Sequence, residues 1–154
     1  MRPILFLLAS LLIASPASAA GWQSGMVEDE GGPVMQAWVE GEGGDVPPEL
    51  RMMCGGEVNI RYGFGSGPGE GVEPAADPLT FTFDFGTQSV RLDMQHEEMD
   101  GMFAAYVAPD APIISLLKSG TSVSIDDPTG TWHAQDFALA GSSAAIARVL
   151  ASCS

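Results

Sequence analysis

The stretch Leu79–Met94, LTFTFDFGTQSVRLDM, alternates apolar and polar residues, breaks once, and alternates again. Leu79, Phe81, Phe83 and Phe85 take turns with Thr80, Thr82 and Asp84; beyond Gly86-Thr-Gln88, Val90, Leu92 and Met94 take turns with Arg91 and Asp93. A period of two is the signature of a strand with one face on a core and the other in water, because successive side chains leave a strand on opposite sides. The glycine-containing break between two such runs is a hairpin signal. This stretch therefore predicts paired strands and an antiparallel, mainly β fold.

Outward from it the same pattern recurs. Val58, Ile60, Tyr62 and Phe64 alternate with Glu57, Asn59, Arg61 and Gly63, and Gly55-Gly56 joins them to the apolar run Leu50–Cys54 as a second hairpin. Less regular runs predict strands at Val34–Glu40, Met102–Val107, Thr121–Asp126 and Thr131–Leu139, the last two joined by a turn at Asp126-Asp-Pro-Thr-Gly130. Two short helices are expected, Pro112–Ser119 stopped by Gly120, and Ser142–Ser152 with Ser142 as its N-cap. In the second, Ile146, Val149, Leu150 and Cys153 fall on one stripe, which points Cys153 inward. The acidic stretches VEDEGG and EGEGGDVPPE read as solvated connections. The sequence thus predicts a two-layer antiparallel β-sandwich with two short helices, one of them C-terminal, and one disulfide.

The chain opens MRPILFLLASLLIASPASAAGW: Arg2, an apolar run from Ile4 to Ala14, then small residues through Ala20. That order is a secretory signal peptide, with Ala17-x-Ala19 as the cleavage signal. The apolar run is shorter than the roughly 20 residues a spanning helix requires. The expected organisation is a signal peptide over residues 1–19 and one exported domain over 20–154, periplasmic or secreted, with no membrane insertion after cleavage. Removal of the signal takes Arg2 with it and leaves 20 acidic against 5 basic residues, a net charge of −15. Such a chain has nothing with which to neutralise phosphates, which speaks against nucleic acid and anionic membrane surfaces as partners.

Two cysteines, Cys54 and Cys153, enter an oxidising compartment in this reading. A structural disulfide between them closes a loop of nearly the whole domain, for which chain entropy suggests about 4–5 kcal/mol. A redox or metal-binding thiol pair would call for a CxxC spacing or a neighbouring base, and neither is present in the sequence.

The order of these motifs resembles a known family. A Leu50-x-x-x-Cys54 strand, the phenylalanine-rich strand pair, APIISLLKSGTSVSI (111–125) and WHAQDFALAGSSAAIARVLASC (132–153) are similar to small periplasmic β-sandwich proteins of the VasI/TagO kind, accessory to type VI secretion. In those proteins a Phe-x-Leu-x-Gly strand end leads into a last helix closed by cysteine; Phe137, Leu139, Gly141 and Cys153 match that pattern. Similarity to exported proteins of the invasion-associated locus B type is fainter. The resemblance covers residues 50–154 and rests on structural motifs. It implies a non-enzymatic envelope protein, with an unidentified periplasmic protein as partner and no catalytic residues to carry over.

Reaction chemistry is weakly represented. His96 and His133 are the two histidines, and no Gly-x-Ser-x-Gly elbow accompanies them. His133-x-x-Asp136 falls in an expected strand, where residues three apart face opposite ways. Carboxylate pairs are too abundant in so acidic a chain to single any out. GFGSGPGEG (63–71) lacks a GxGxxG register and a following helix, so it reads as a loop rather than a phosphate cradle. The expectation is a protein that is not an enzyme and holds no cofactor.

One stretch stays open. In MQHEEMDGM, Met94, His96, Met99 and Met102 combine thioethers with an imidazole, a ligand set suited to Cu(I) if the hairpin brings them together. The alternative is a hairpin tip: Met94 continues the apolar face of Val90 and Leu92, Asp100-Gly101 is a turn pair, and Met102 opens the next strand as a core filler. Trp22, Trp38 and Trp132 likewise serve either a partner or glycan surface or the core.

Overall fold

The computed structural model describes residues 21–29, 31–66, 78–127, 129–132 and 134–153. The expected signal peptide, residues 67–77 of the glycine-rich stretch and His133 lie outside the described residues. In chain order the elements are β1 (Gln23–Asp29), β2 (Gly32–Glu40), β3 (Glu49–Cys54), β4 (Val58–Gly63), β5 (Leu79–Asp84), β6 (Ser89–Glu97), β7 (Met102–Val107), α1 (Pro112–Ser119), β8 (Ser122–Asp126), β9 (Gln135–Ala138) and α2 (Ser142–Ser152). No helix among the described residues is long and apolar enough to cross a membrane.

All strand pairs are antiparallel, and the strands join into one sheet in the order β1-β2-β3-β4-β7-β6-β5-β8-β9. The phenylalanine-rich stretch forms the β5–β6 hairpin, with Asp84 opposite Ser89 and the Gly86 N–H held by the Asp84 carboxylate at 2.8 Å. The first part of β6, Ser89–Met94, pairs with β5, whereas its end, Gln95–Glu97, pairs with β7. One strand is thus shared between two parts of the sheet, the device by which a sheet turns a corner.

The aromatic contacts show how far it turns. β4 and β9 are five steps apart in the sheet order, about 24 Å if the sheet were flat. Yet the Tyr62 ring lies 6.2 Å from Phe137 on β9 and 5.5 Å from Phe81 on β5, and Phe103 on β7 lies 4.8 Å from Phe81. The two expected layers are therefore two halves of one wrapped nine-stranded sheet, β1-β2-β3-β4-β7 facing β5-β8-β9. Leu50, Met52, Ile60, Phe81, Phe83 and Ile125 fill the space between them.

The helices close this core. Pro112 opens α1, where its fixed φ and missing N–H cost nothing, and Gly120 donates back to the Leu116 carbonyl at 2.8 Å. Ile113, Ile114 and Leu117 of α1 and Ala145, Ile146 and Val149 of α2 join the core. Cys54 and Cys153 are bonded, with Cα atoms 5.5 Å apart across 99 residues of sequence, so the end of α2 is pinned to the end of β3.

Several expectations need correction. The VEDEGG stretch is not a connection: Val27–Asp29 finish β1 and Gly32 starts β2. β1 is an edge strand, largely solvated on both faces, so no apolar alternation announces it. Ser142 is not the cap of α2 but its first residue. Gly141, at φ 83°, occupies the cap position, and the Ser142 hydroxyl instead donates to the Leu117 carbonyl at 2.7 Å, tying α2 to α1. The strand expected over Thr131–Leu139 is confined to Gln135–Ala138. Asp127 takes the preceding residues out of it by accepting from the Thr129 and Trp132 N–H groups at 2.8 and 2.9 Å.

Candidate functional site

Alternation sorts the residues of β3, β4 and β7 onto two faces. Leu50, Met52, Ile60, Tyr62 and Phe103 look inward, and their neighbours Arg51, Met53, Arg61, Ala104 and Tyr106 look outward. Both helices pack on the inner side, where Cys153 meets Cys54. Neither described helix packs on the outer side of this layer, where Met53 and Ala104 are nonetheless buried, and that side carries two of the six Lys and Arg residues of the chain.

Arg51 and Arg61 stand directly opposite each other in the β3–β4 register. Like charges so placed repel, and the surrounding carboxylates offset that repulsion. Glu49 pairs with Arg51 Nε at 2.5 Å. Arg61 is held from three directions: Nη2 lies 2.6 Å from Glu97, Nη1 pairs with Asp100, and Nε donates to the Asn59 side chain at 3.3 Å. The Tyr106 hydroxyl donates to the other Glu97 oxygen at 3.2 Å, although the residue is 53% exposed. Partial burial, then the Glu97 carboxylate, raise the Tyr106 pKa against the opposing effect of Arg61. Trp38 of β2 pairs with Arg51 in register and lies over Gly25 of β1, so the face runs from Trp38 through the arginine pair to Tyr106.

The β6–β7 hairpin builds one end of this face. Its four-residue loop, 98–101, carries Gly101 at φ 65°, a conformation that favours glycine, and the Gly101 N–H donates to the Glu97 carbonyl at 2.9 Å. Asp100 then receives the Met102 N–H at 3.1 Å while its other oxygen meets Arg61. Met102 packs over Gly63, where a Cβ would sit 3.3 Å from its methyl carbon. Beside it lies a groove of about 300 Å³ lined in part by Val46, Pro47, Arg51, Phe64, Asp100 and Met102.

This register separates the four residues proposed as soft-metal ligands. Met94 pairs with Leu79 and is fully buried in the core. His96 pairs with Phe103, its ring 5.1 Å from the phenylalanine ring, on the same side as Met94. Met102 pairs with Glu97 and so faces the opposite side, and Met99 stands 85% exposed at the tip. Met94 and His96 share a face as expected; Met102 and Met99 do not join them. Among the described residues no group of three or more His, Cys, Asp or Glu side chains could hold a metal ion.

The tryptophans divide between the two roles. Trp22 and Trp132 are buried, the latter against Phe64, Phe81 and Phe103, whereas Trp38 is half-buried on the outer face. The sequence reading missed the arginine pair. The signal was present: two arginines equidistant from the Gly55-Glu57 turn, each flanked by apolar neighbours, predict facing positions once the hairpin register is known. No protein-family model, curated protein or solved structure matches the chain.

Proposed function

We propose that the chain is a non-enzymatic, exported accessory protein of the cell envelope, and that it binds a partner protein through the outer face of β2, β3, β4 and β7. The observation that carries this reading is the composition of a face that neither described helix covers: Trp38, Arg51 and Arg61 in one cross-strand row, with Tyr106 beside it. Tryptophan, tyrosine and arginine are residue types that concentrate in protein interfaces. The arginines are already oriented by Glu49, Glu97, Asp100 and Asn59, so a partner meets them with little further ordering cost. The resemblance of residues 50–154 to accessory proteins of type VI secretion supplies the setting. A periplasmic or secreted location follows from the N-terminal pattern, and no chemistry is assigned to the protein itself.

A photo-crosslinking amino acid at position 106 tests the reading in the exporting cell, with position 91 on the other half of the sheet as control. A discrete protein adduct from position 106 alone, lost with Trp38→Ala, is the expected result. Equal labelling from both positions would discard the face. Deletion of the gene tests the setting separately: effector release should fall, and unchanged release rules out the secretion role while leaving the face in place.

A further inference from the structure

We propose that the free edge of β9 is a strand-addition site for an extended, cationic segment of another protein. This goes beyond the outer-face reading and uses a different part of the molecule. In an antiparallel pair the N–H and C=O of one residue point to the same side, and successive residues alternate. The Leu139 N–H donates to the Thr121 carbonyl at 2.9 Å, so Leu139, Phe137 and Gln135 turn their backbone groups toward β8. Asp136 and Ala138 turn theirs the other way, on the last strand of the sheet, where no strand pairs with them among the described residues. The next residue in that series, Ala140, already accepts the Trp22 N–H at 2.9 Å, so the line of this edge takes an incoming backbone donor.

The space beside this edge suits one occupant. A groove of about 590 Å³ runs between β9 and the end of β2, walled by Glu40, Gly41 and Glu42 on one side and by residues 134–138 with Thr121 and Ser122 on the other. Gly41 allows the walls to approach, since a Cβ there would meet Pro48 at 2.8 Å and the Phe137 ring at 3.2 Å. Gly41 donates to the Pro48 carbonyl at 2.7 Å on the β3 side, so Glu40 turns its backbone groups away from β3. β1 begins only at Gln23, opposite Trp38, and so stops short of Glu40. Gly21 and Trp22 lie against Ala140, and past them no described residue forms a strand between β9 and the end of β2.

Charge selects the segment. Glu40, Glu42 and Asp136 line the groove with no base among its described lining residues, in a chain of net charge −14. A second copy of so acidic a chain is repelled, and a cationic strand is attracted. Phe137 points into the core, so Asp136 and Ala138 point outward, and an added strand places every second side chain beside them. The favoured segment alternates lysine or arginine with apolar residues, the cations facing Glu40, Glu42 and Asp136. Backbone pairing supplies affinity and the alternating charges supply selectivity, as in other strand additions.

The test uses a capped heptapeptide alternating lysine and valine, its glutamate–valine counterpart, and the disulfide-bonded chain purified from the periplasm. Binding is read by fluorescence anisotropy and by backbone amide exchange. The lysine peptide should bind, slow exchange at Asp136 and Ala138, and weaken with salt; the glutamate peptide should not bind. Ala138→Pro removes an outward N–H that β8 does not use, and should weaken binding about tenfold, the scale of one lost backbone hydrogen bond and its partner. Asp136→Lys leaves the backbone untouched and should lower affinity for the lysine peptide by a similar factor. Binding that protects amides elsewhere, or that survives both substitutions undiminished, overturns the proposal, as does an absence of binding to the unaltered chain.

Discussion

Ile60 and Arg61 are consecutive residues of β4 and belong to two different worlds. Ile60 sits in the core between the halves of the wrapped sheet, fully buried against apolar neighbours. Arg61, one residue on, is held by Glu97, Asp100 and Asn59 on a face that neither described helix covers. The inner face is defended by packing, two helices and the Cys54–Cys153 bond. The outer face is organised by ion pairs between groups that keep part of their hydration. The lesson is that one strand can carry the stability of the fold on one side and an adaptable surface on the other, because burial converts area into free energy whereas exposed charge pairs are worth little.

That contrast can be broken or sharpened by measurement. The largest effect should come from Cys54→Ala with Cys153→Ala, which releases a constraint on a loop of about a hundred residues and should cost about 4–5 kcal/mol in urea unfolding. A loss below about 1 kcal/mol would mean that α2 stays docked through its apolar stripe alone. Ile60→Ala comes next, at about 3 kcal/mol for a cavity in a wrapped core. Its outer-face neighbour provides the comparison: Arg61→Ala should cost about 1 kcal/mol or less, since it relieves Arg51 of a like charge while stranding Glu97 and Asp100 in a partly hydrated setting. Equal costs for the two substitutions would mean that the outer face is structural rather than adaptable.

Tyr62 offers a gain rather than a loss. Its ring is buried and its hydroxyl has no hydrogen-bond partner among the described residues, so Tyr62→Phe should stabilise by about 1 kcal/mol. Burial, followed by the charges of Asp127 and Asp126, raises the Tyr62 pKa well above its ordinary 10.0. The folded chain therefore keeps the phenol proton while the unfolded chain releases it. Stability should be intact below pH 10 and should fall as the pH rises beyond it, more steeply in the unaltered protein than in Tyr62→Phe. Parallel alkaline unfolding curves for the two proteins would remove Tyr62 as the cause.

The smallest effect is expected at the hairpin tip. Met99→Leu should leave both stability and Cu(I) affinity unchanged, because Met99 stands in solvent and Met102 faces away from Met94 and His96. A titration against a competing chelator checks this. Tight one-to-one Cu(I) binding that disappears with His96→Ala and Met99→Leu would mean that the hairpin opens and re-registers around the ion.

Much of the fold is legible in the order of residues because its signals are local. Alternation in LTFTF and in VNIRYG states which residues share a face, glycines at the two hairpins state where the chain reverses, and two cysteines with no third to compete state which ends can be joined. β1 was hidden because an edge strand has no core face to advertise, and its acids look like those of a loop. The relation among Met94, His96 and Met102 was hidden for another reason. A register offset of one residue moves a side chain to the other face, and the four-residue loop 98–101 sets that offset, pairing His96 with Phe103 rather than Met102.

The sequence by itself determined the strands that have a core face, the helix spans, the bridge and the acidity, since periodicity, turn chemistry and charge are properties of neighbouring residues. Only the tertiary structure decided that the two layers are one sheet wrapped at β6, that Glu97 and Asp100 close on Arg61, and that β9 ends the sheet beside an acidic groove. Those outcomes depend on which strands pair and in what register. Contacts between residues far apart in the chain set that pairing, and no local pattern records them.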